Sequence, residues 1–223
     1  MLLLAVDTSG KYGSIALAQC LPAGVCDLLE IVPLEGGTFS AQLVPQIAVL
    51  LTKHKFSKHD VDAFAVVSGP GSFTGLRVGL SAIKALAEIL NKPITTVSLL
   101  ESIAVTQTNL SKVFAVLDAG RGEVYVGEYD LNPSPIMRNE QLLTRQEMVS
   151  TVGRQKIVTP DKSIVDFADG AGLSVIEIER PQSDAIARLG WQKLQKGETV
   201  SPEALEANYI RRADAEIFSK PNL

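Results

Sequence analysis

Val113-Phe114-Ala115-Val116-Leu117-Asp118 runs into Ala119-Gly120-Arg121-Gly122-Glu123, and Val124–Tyr129 leads away from that turn. The order is an apolar run, an aspartate, a glycine-bearing turn and a second apolar run. The head of the chain has the same order, with Leu2–Asp7, then Thr8-Ser9-Gly10-Lys11-Tyr12-Gly13, then Ser14–Ala18. Short apolar runs bounded by turn residues read as strands joined in a hairpin. In the first half Cys26–Val32 adds a third strand, and Phe39–Lys53 shows helical spacing through Leu43, Ile47, Leu50 and Leu51. Strand-like Ala63–Val67, helical Gly75–Leu90, strand-like Ile94–Val97 and helical Leu99–Thr106 come next. The second half continues with strand-like Lys156–Thr159 and Ser174–Ile178 and with helices near Ile164–Ala168 and Asp184–Lys196. An internal duplication with three strands opening each half predicts two similar α/β lobes, residues 1–106 and 107–223. One doubly wound sheet would not account for two hairpin starts.

The 223 residues are 46% hydrophobic and 21% charged, an ordinary globular balance long enough to bury a real core. No apolar run reaches the roughly 18–20 residues needed to cross a bilayer. Met1–Val6 has no basic region before it and meets Asp7 at once, which suits a first strand better than a secretion signal. Cys20 and Cys26 could pair by count, but they form no disulfide framework or zinc pattern, and reduced thiols in a cytoplasm are expected. The net charge is −4, and Arg211-Arg212 with scattered lysines makes no basic stripe. A protein that grips RNA unaided needs one, because neutralising phosphates supplies most of the affinity.

The most distinctive segment is Ser68-Gly69-Pro70-Gly71-Ser72-Phe73-Thr74-Gly75-Leu76-Arg77-Val78-Gly79, which comes after a strand and opens a helix. Ser72 or Thr74 can cap that helix, and amides at a helix start attract anions. The plainer reading is a well-capped strand-to-helix turn; the spacing does not match the GxxxxGK[ST] phosphate loop. Asp7 and Asp118 each end a first strand. In two-lobed ATPases of the actin class such aspartates organise metal and water around phosphate, although an aspartate in a turn commonly serves its own amides. Asp7, Thr8, Gly69, Gly71, Ser72 and Thr74 are the candidate nucleotide- or anion-binding residues. His54 and His59, both expected in solvent, are too few for a histidine-dependent triad or a metal site.

Four segments together resemble the TsaB family: Leu4-Ala5-Val6-Asp7-Thr8-Ser9, the GPGSFTGLRVG loop Gly69–Gly79, Leu117–Tyr125, and Asn208-Tyr209-Ile210-Arg211. The resemblance spans nearly the whole chain, and GPGSFTGLR is its most specific element. It implies a duplicated actin-like (ASKHA, ribonuclease H-like) fold and a cytoplasmic, non-catalytic role beside the paralogue TsaD. With the ATPase TsaE, that pair transfers a threonylcarbamoyl group to adenosine 37 of tRNAs reading codons that begin with A. The implied partners are TsaD and TsaE, with tRNA met only through the complex and a homodimer when the chain is alone. TsaD carries a Val-Asn-His-Leu-Glu-Ala-His segment whose two histidines bind metal. The matching stretch here is Val97-Ser98-Leu99-Leu100-Glu101-Ser102-Ile103, so aliphatic Leu99 and Ile103 stand at the histidine positions.

The two N-terminal helices carry more apolar surface than a single sheet-facing stripe requires. Val44, Ala48 and Val49 add to the first, and Val78, Ala82, Ala85 and Ile89 to the second. The family packs such helices against TsaD, which makes Leu43, Val44, Ile47, Leu51, Val78 and Ala82 the expected partner surface; burial inside the chain's own lobe is the alternative. Pro45 should kink the first helix. Weak binding of ATP or ADP, between the lobes or at the partner interface, stays open. The rival readings are an actin-class kinase or ATPase acting through Asp7 and the Gly69–Gly75 loop, and a metallopeptidase, which the missing histidines disfavour.

Overall fold

The computed structural model describes residues 1–22, 24–132 and 134–210. Arg211 and Arg212 lie outside these. The chain forms two compact units, each built on a five-stranded sheet.

In the first unit β1 (Leu2–Asp7), β2 (Tyr12–Cys20) and β3 (Cys26–Glu35) form an antiparallel meander, and β4 (Ala63–Gly69) and β5 (Ile94–Ser98) add parallel strands on the other side of β1. The order is β3-β2-β1-β4-β5. All six residues of β1 are buried, as an unbroken apolar run requires when both faces of a sheet are covered. Between β3 and β4 comes α1 (Phe39–Lys53), and between β4 and β5 comes α2 (Phe73–Leu90). A short helix, α3 (Leu99–Ala104), comes directly after β5.

The second unit repeats the plan. β6 (Lys112–Gly120), β7 (Glu123–Asp130) and β8 (Ile136–Thr144) form the meander, and β9 (Lys156–Thr159) and β10 (Ser174–Glu177) the parallel side, in the order β8-β7-β6-β9-β10. α4 (Arg145–Val152) and α5 (Lys162–Gly170) stand where α1 and α2 stand in the first half, and α6 (Ser183–Gln195) matches α3. Phe114, Val116, Val124, Val126, Met148, Val152, Ile157, Ile164 and Ala168 make its core.

The expected boundary at residue 106 is corrected by the packing. One unit is Met1–Leu99 with Pro181–Asn208, and the chain from Leu100 to Arg180 forms the other. The third helix of each half therefore serves the other half's sheet. α6 lies on β1, β2, β4 and β5, burying Ile186, Ala187, Leu189 and Trp191. It comes so close that a Cβ on Gly190 would stand 2.5 Å from that of Ala65. Ser183 at its start exchanges hydrogen bonds with Ser14 of β2: its amide donates to Ser14 Oγ at 3.0 Å and its hydroxyl to the Ser14 carbonyl at 2.7 Å. In the other unit Leu100 sits over Gly127 of β7, 3.1 Å from where a Cβ would be.

Two smaller expectations are also corrected. Cys20 and Cys26, expected as thiols, are joined by a disulfide, because the β2–β3 register sets them directly opposite at the hairpin end. His54, expected in solvent, is half-buried at the end of α1 with Nε2 2.8 Å from Glu30 of β3; His59 is exposed. α1 runs through Pro45 as one helix. Among the described residues no helix is long and apolar enough to cross a membrane.

Candidate functional site

The glycine loop and the first turn of the chain meet at one end of the first sheet. β1 and β4 are parallel neighbours, so Asp7-Thr8-Ser9 leaves one strand beside the point where Gly69–Ser72 leaves the other. Asp7 is 3% exposed. Its Oδ1 accepts from the Ser9 amide at 2.7 Å and from the Ser9 hydroxyl at 2.6 Å, which locks the turn. The Ser9 carbonyl then accepts the Ser72 amide at 2.7 Å. Ser72 caps α2, its Oγ accepting from the Gly75 amide at 3.3 Å. The buried Thr8 hydroxyl donates to the Gly75 carbonyl at 2.7 Å.

The glycines of this segment permit close approach. A Cβ on Gly71 would come within 2.3 Å of the Ser9 carbonyl oxygen, one on Gly75 within 2.1 Å of the Thr8 carbonyl oxygen, and one on Gly79 within 2.4 Å of the Thr8 hydroxyl. Such distances leave no room for a side chain, so the Gly71, Gly75 and Gly79 positions form a channel into which Thr8 and Ser9 fit. Gly69, at φ +139°, precedes a cis peptide bond to Pro70. Beside it the Asn208 amide donates to the Ser68 carbonyl at 2.8 Å. Of the six candidate anion-binding residues, Asp7, Thr8 and Gly69 are buried, Gly71 is half-buried, and Ser72 and Thr74 are exposed. The amides of Ser72 and Gly75 already have partners within the chain.

Asp118 ends the matching strand of the second unit in different company. Its Oδ1 accepts from the Gly120 amide at 2.7 Å, and its Oδ2 accepts from the Ser163 hydroxyl at 2.8 Å and from Arg145 at 3.2 Å. Its own amide donates to Asp161 Oδ2 at 2.7 Å. Partial burial works against its charge, but the Gly120 amide, Ser163 and Arg145 outweigh that and hold the carboxyl below the usual aspartate range. Sequence reasoning missed Arg145, Ser163 and Asp161. The Thr144-x-x-Glu147 capping box, which the structure realises in full, was the available sign that a helix begins at Arg145.

The outer face of α2 is open. Ser40, Leu43 and Val44 of α1 and Phe73, Thr74, Arg77, Val78, Ser81 and Ala82 of α2 line a groove of about 490 Å³. The Arg77 guanidinium stacks 3.6 Å from the centroid of the Phe73 ring, so the cation of this lining lies over an aromatic face. The expected partner surface divides here. Leu43 is 1% exposed, Ile47 5% and Leu51 4%, and these three form the inward stripe of α1. Ile47 and Leu51 are corrected to core, because a helix on a sheet turns one stripe inward and these residues are on it; Leu43, on the same stripe, also reaches the groove. Val44, 52% exposed, and half-buried Val78 and Ala82 lie on the groove. Leu99 and Ile103 are fully buried. Among the described residues no three of His, Cys, Asp and Glu are grouped so as to hold a metal ion.

A family profile described as TsaD, tRNA N6-adenosine threonylcarbamoyltransferase, matches residues 31–159, more than half of the chain. The chain belongs to the TsaD family. Within it the chain is of the TsaB type. It is 29% identical over 224 residues to the tRNA threonylcarbamoyladenosine biosynthesis protein TsaB of Escherichia coli, with 95% of each chain covered. To the TsaB of Bacillus subtilis it is 27% identical over 232 residues, 97% of this chain and 96% of that one. A Pseudomonas aeruginosa crystal structure, of a protein described as similar to the peptidase YeaZ, superposes with a TM-score of 0.76 at 25% identity, covering 94% of this chain and 99% of that one. The fold is the two-lobed actin-like, ribonuclease H-like one.

Proposed function

We propose that this TsaB-type chain is a non-catalytic, cytoplasmic partner of a TsaD enzyme in the threonylcarbamoylation of adenosine 37 of tRNA. The observation that carries this reading is the division of labour on α2. Its glycine positions are filled by the chain's own Thr8 and Ser9, and the adjoining face is left as an apolar groove. A catalytic phosphate loop needs the first open to substrate, whereas a docking helix needs only the second. The aliphatic, buried Leu99 and Ile103, at the positions of TsaD's metal-binding histidines, support the same reading. In it tRNA and TsaE are reached through the complex, in keeping with a net charge of −4. The chain supplies no cofactor, and any ATP or ADP it holds is held weakly.

Reconstitution tests this. TsaD, TsaE and the enzyme that makes threonylcarbamoyl-adenylate, given ATP and tRNA, should modify adenosine 37 only when this chain is added, and the chain alone should show no turnover. Undiminished modification without it would overturn the proposal, as would ATP hydrolysis by the chain alone that Asp7→Ala abolishes. Val44→Glu should melt near wild type yet fail to co-elute with TsaD, because its carboxylate faces water in the free chain and is buried unpaired in the complex. Ile47→Glu should express poorly, since that side chain has no solvated position in the folded unit.

A further inference from the structure

We infer that Thr8 is a positioning residue for the α1–α2 groove: its hydroxyl, seated against Gly75 and Gly79, fixes the orientation of the first two turns of α2, and so of the surface offered to the partner. This rests on the reading of the groove as the TsaD-binding face.

Thr8 touches α2 beside the groove, because Gly75 and Gly79 share a helix face with Val78 and Ala82 of its lining. Gly75 and Gly79, one helical turn apart, face Thr8. Phe73, Thr74, Arg77, Val78 and Ser81, which come from the same two turns, line the groove. A bond to the Gly75 carbonyl therefore sets where the stacked Phe73–Arg77 pair is held. Packing through Leu76, Leu80 and Ile83 seats the helix on its sheet, and a hydrogen bond sets its rotation more sharply than shape alone. The Thr8 hydroxyl at 2.7 Å adds a directional constraint, and it is reinforced from the next residue, where the Ser9 carbonyl receives the Ser72 amide. Asp7 completes the chain of contacts by holding Ser9 through both its amide and its hydroxyl. The turn that would face a phosphate in an ATPase is thus a latch on the partner-binding helix.

The Gly75 carbonyl sits inside α2, where the helix ladder offers it a second donor. Removing the Thr8 hydroxyl therefore loosens the helix without stranding a buried acceptor, and Thr8→Val should fold. Affinity for TsaD should fall about tenfold in Thr8→Val, the loss of one directional bond from a prearranged surface. Thr8→Ser, which keeps the hydroxyl, should bind like wild type. Amide hydrogen exchange of the free proteins gives a readout independent of the partner. Residues 73–78 should exchange faster in Thr8→Val than in wild type or Thr8→Ser, while β1 and β4 keep their protection. If Thr8→Val does not fold, Gly79→Ala displaces the same hydroxyl, through a methyl 2.4 Å from it, and should speed the same amides. Unchanged exchange at 73–78, wild-type affinity in a variant with faster exchange, or a Thr8→Ser protein as impaired as Thr8→Val would each overturn the inference. Failure of the wild-type chain to bind TsaD would instead refute the docking role of the groove, and the exchange measurement would still decide whether Thr8 holds α2.

Discussion

The two units begin with the same strand, aspartate, turn and strand, and then use the aspartate differently. Asp7 is buried, and its Oδ1 is engaged locally by the amide and hydroxyl of Ser9, two residues on. Asp118 is partly exposed and reaches across its unit to Ser163 of α5 and Arg145 of α4. The turn after Asp7 is pressed into the glycine channel of α2. The turn after Asp118 is open: Gly120, Arg121 and Gly122 all have positive φ, and a Cβ on either glycine would meet nothing within 4 Å. A repeated sequence pattern thus yields a packing element in one half and a surface ion pair in the other. The difference lies in the segment after the first parallel strand of each half: Gly69–Gly79 brings glycines to the first turn, and Asp161-Lys162-Ser163 brings polar groups to the second.

Substitutions in the two turns should therefore differ in size and in kind. Gly75→Ala should have the largest effect, about 3 kcal/mol, because its methyl would sit 2.1 Å from the Thr8 carbonyl oxygen, and main chain cannot step aside; urea unfolding measures it. Asp7→Ala should come next at about 2 kcal/mol, leaving a buried amide and hydroxyl without their acceptor. A loss as small as that of Asp118→Ala would break the contrast between a buried and an exposed aspartate. Gly122→Ala, at φ +80° in open space, should cost only about 1 kcal/mol, from backbone strain alone.

The smallest effect is one of pH. The Asp118 carboxyl lies below its ordinary value of 3.8 in the folded chain. Its contribution is then complete above the unfolded-state value and is lost as pH falls through the lower, folded one. With solvent screening at a partly exposed site this amounts to less than about 1 kcal/mol. Asp118→Asn should accordingly lower stability slightly at pH 7 and flatten its decline below about pH 4. An acid limb identical to wild type would show that the bonds of Asp118 to the Gly120 amide, Ser163 and Arg145 together contribute nothing measurable.

The local pattern is enough to reveal the duplication, the two hairpins, α1 and α2 and the parallel strands, because alternation between apolar runs and turn residues is written into neighbouring positions. β8 escapes it, since Ile136–Thr144 is a largely polar strand with no fully buried residue and so carries little hydrophobic signal. The surplus apolar character of α1 is legible, but its direction is not. Val44 and Ile47 are both aliphatic and three residues apart, and only the packed sheet decides that Ile47 faces the core and Val44 the groove. The exchange of the third helices is equally invisible, because nothing in the short, almost wholly buried α3 or in the amphipathic α6 says which sheet covers it. Likewise the glycines around Gly75 could have framed a phosphate or admitted a neighbouring turn. Composition fixes that a backbone is bare at those positions, but whether a ligand or Thr8 fills the space depends on β1 and β4 lying side by side, a contact between residues some sixty positions apart.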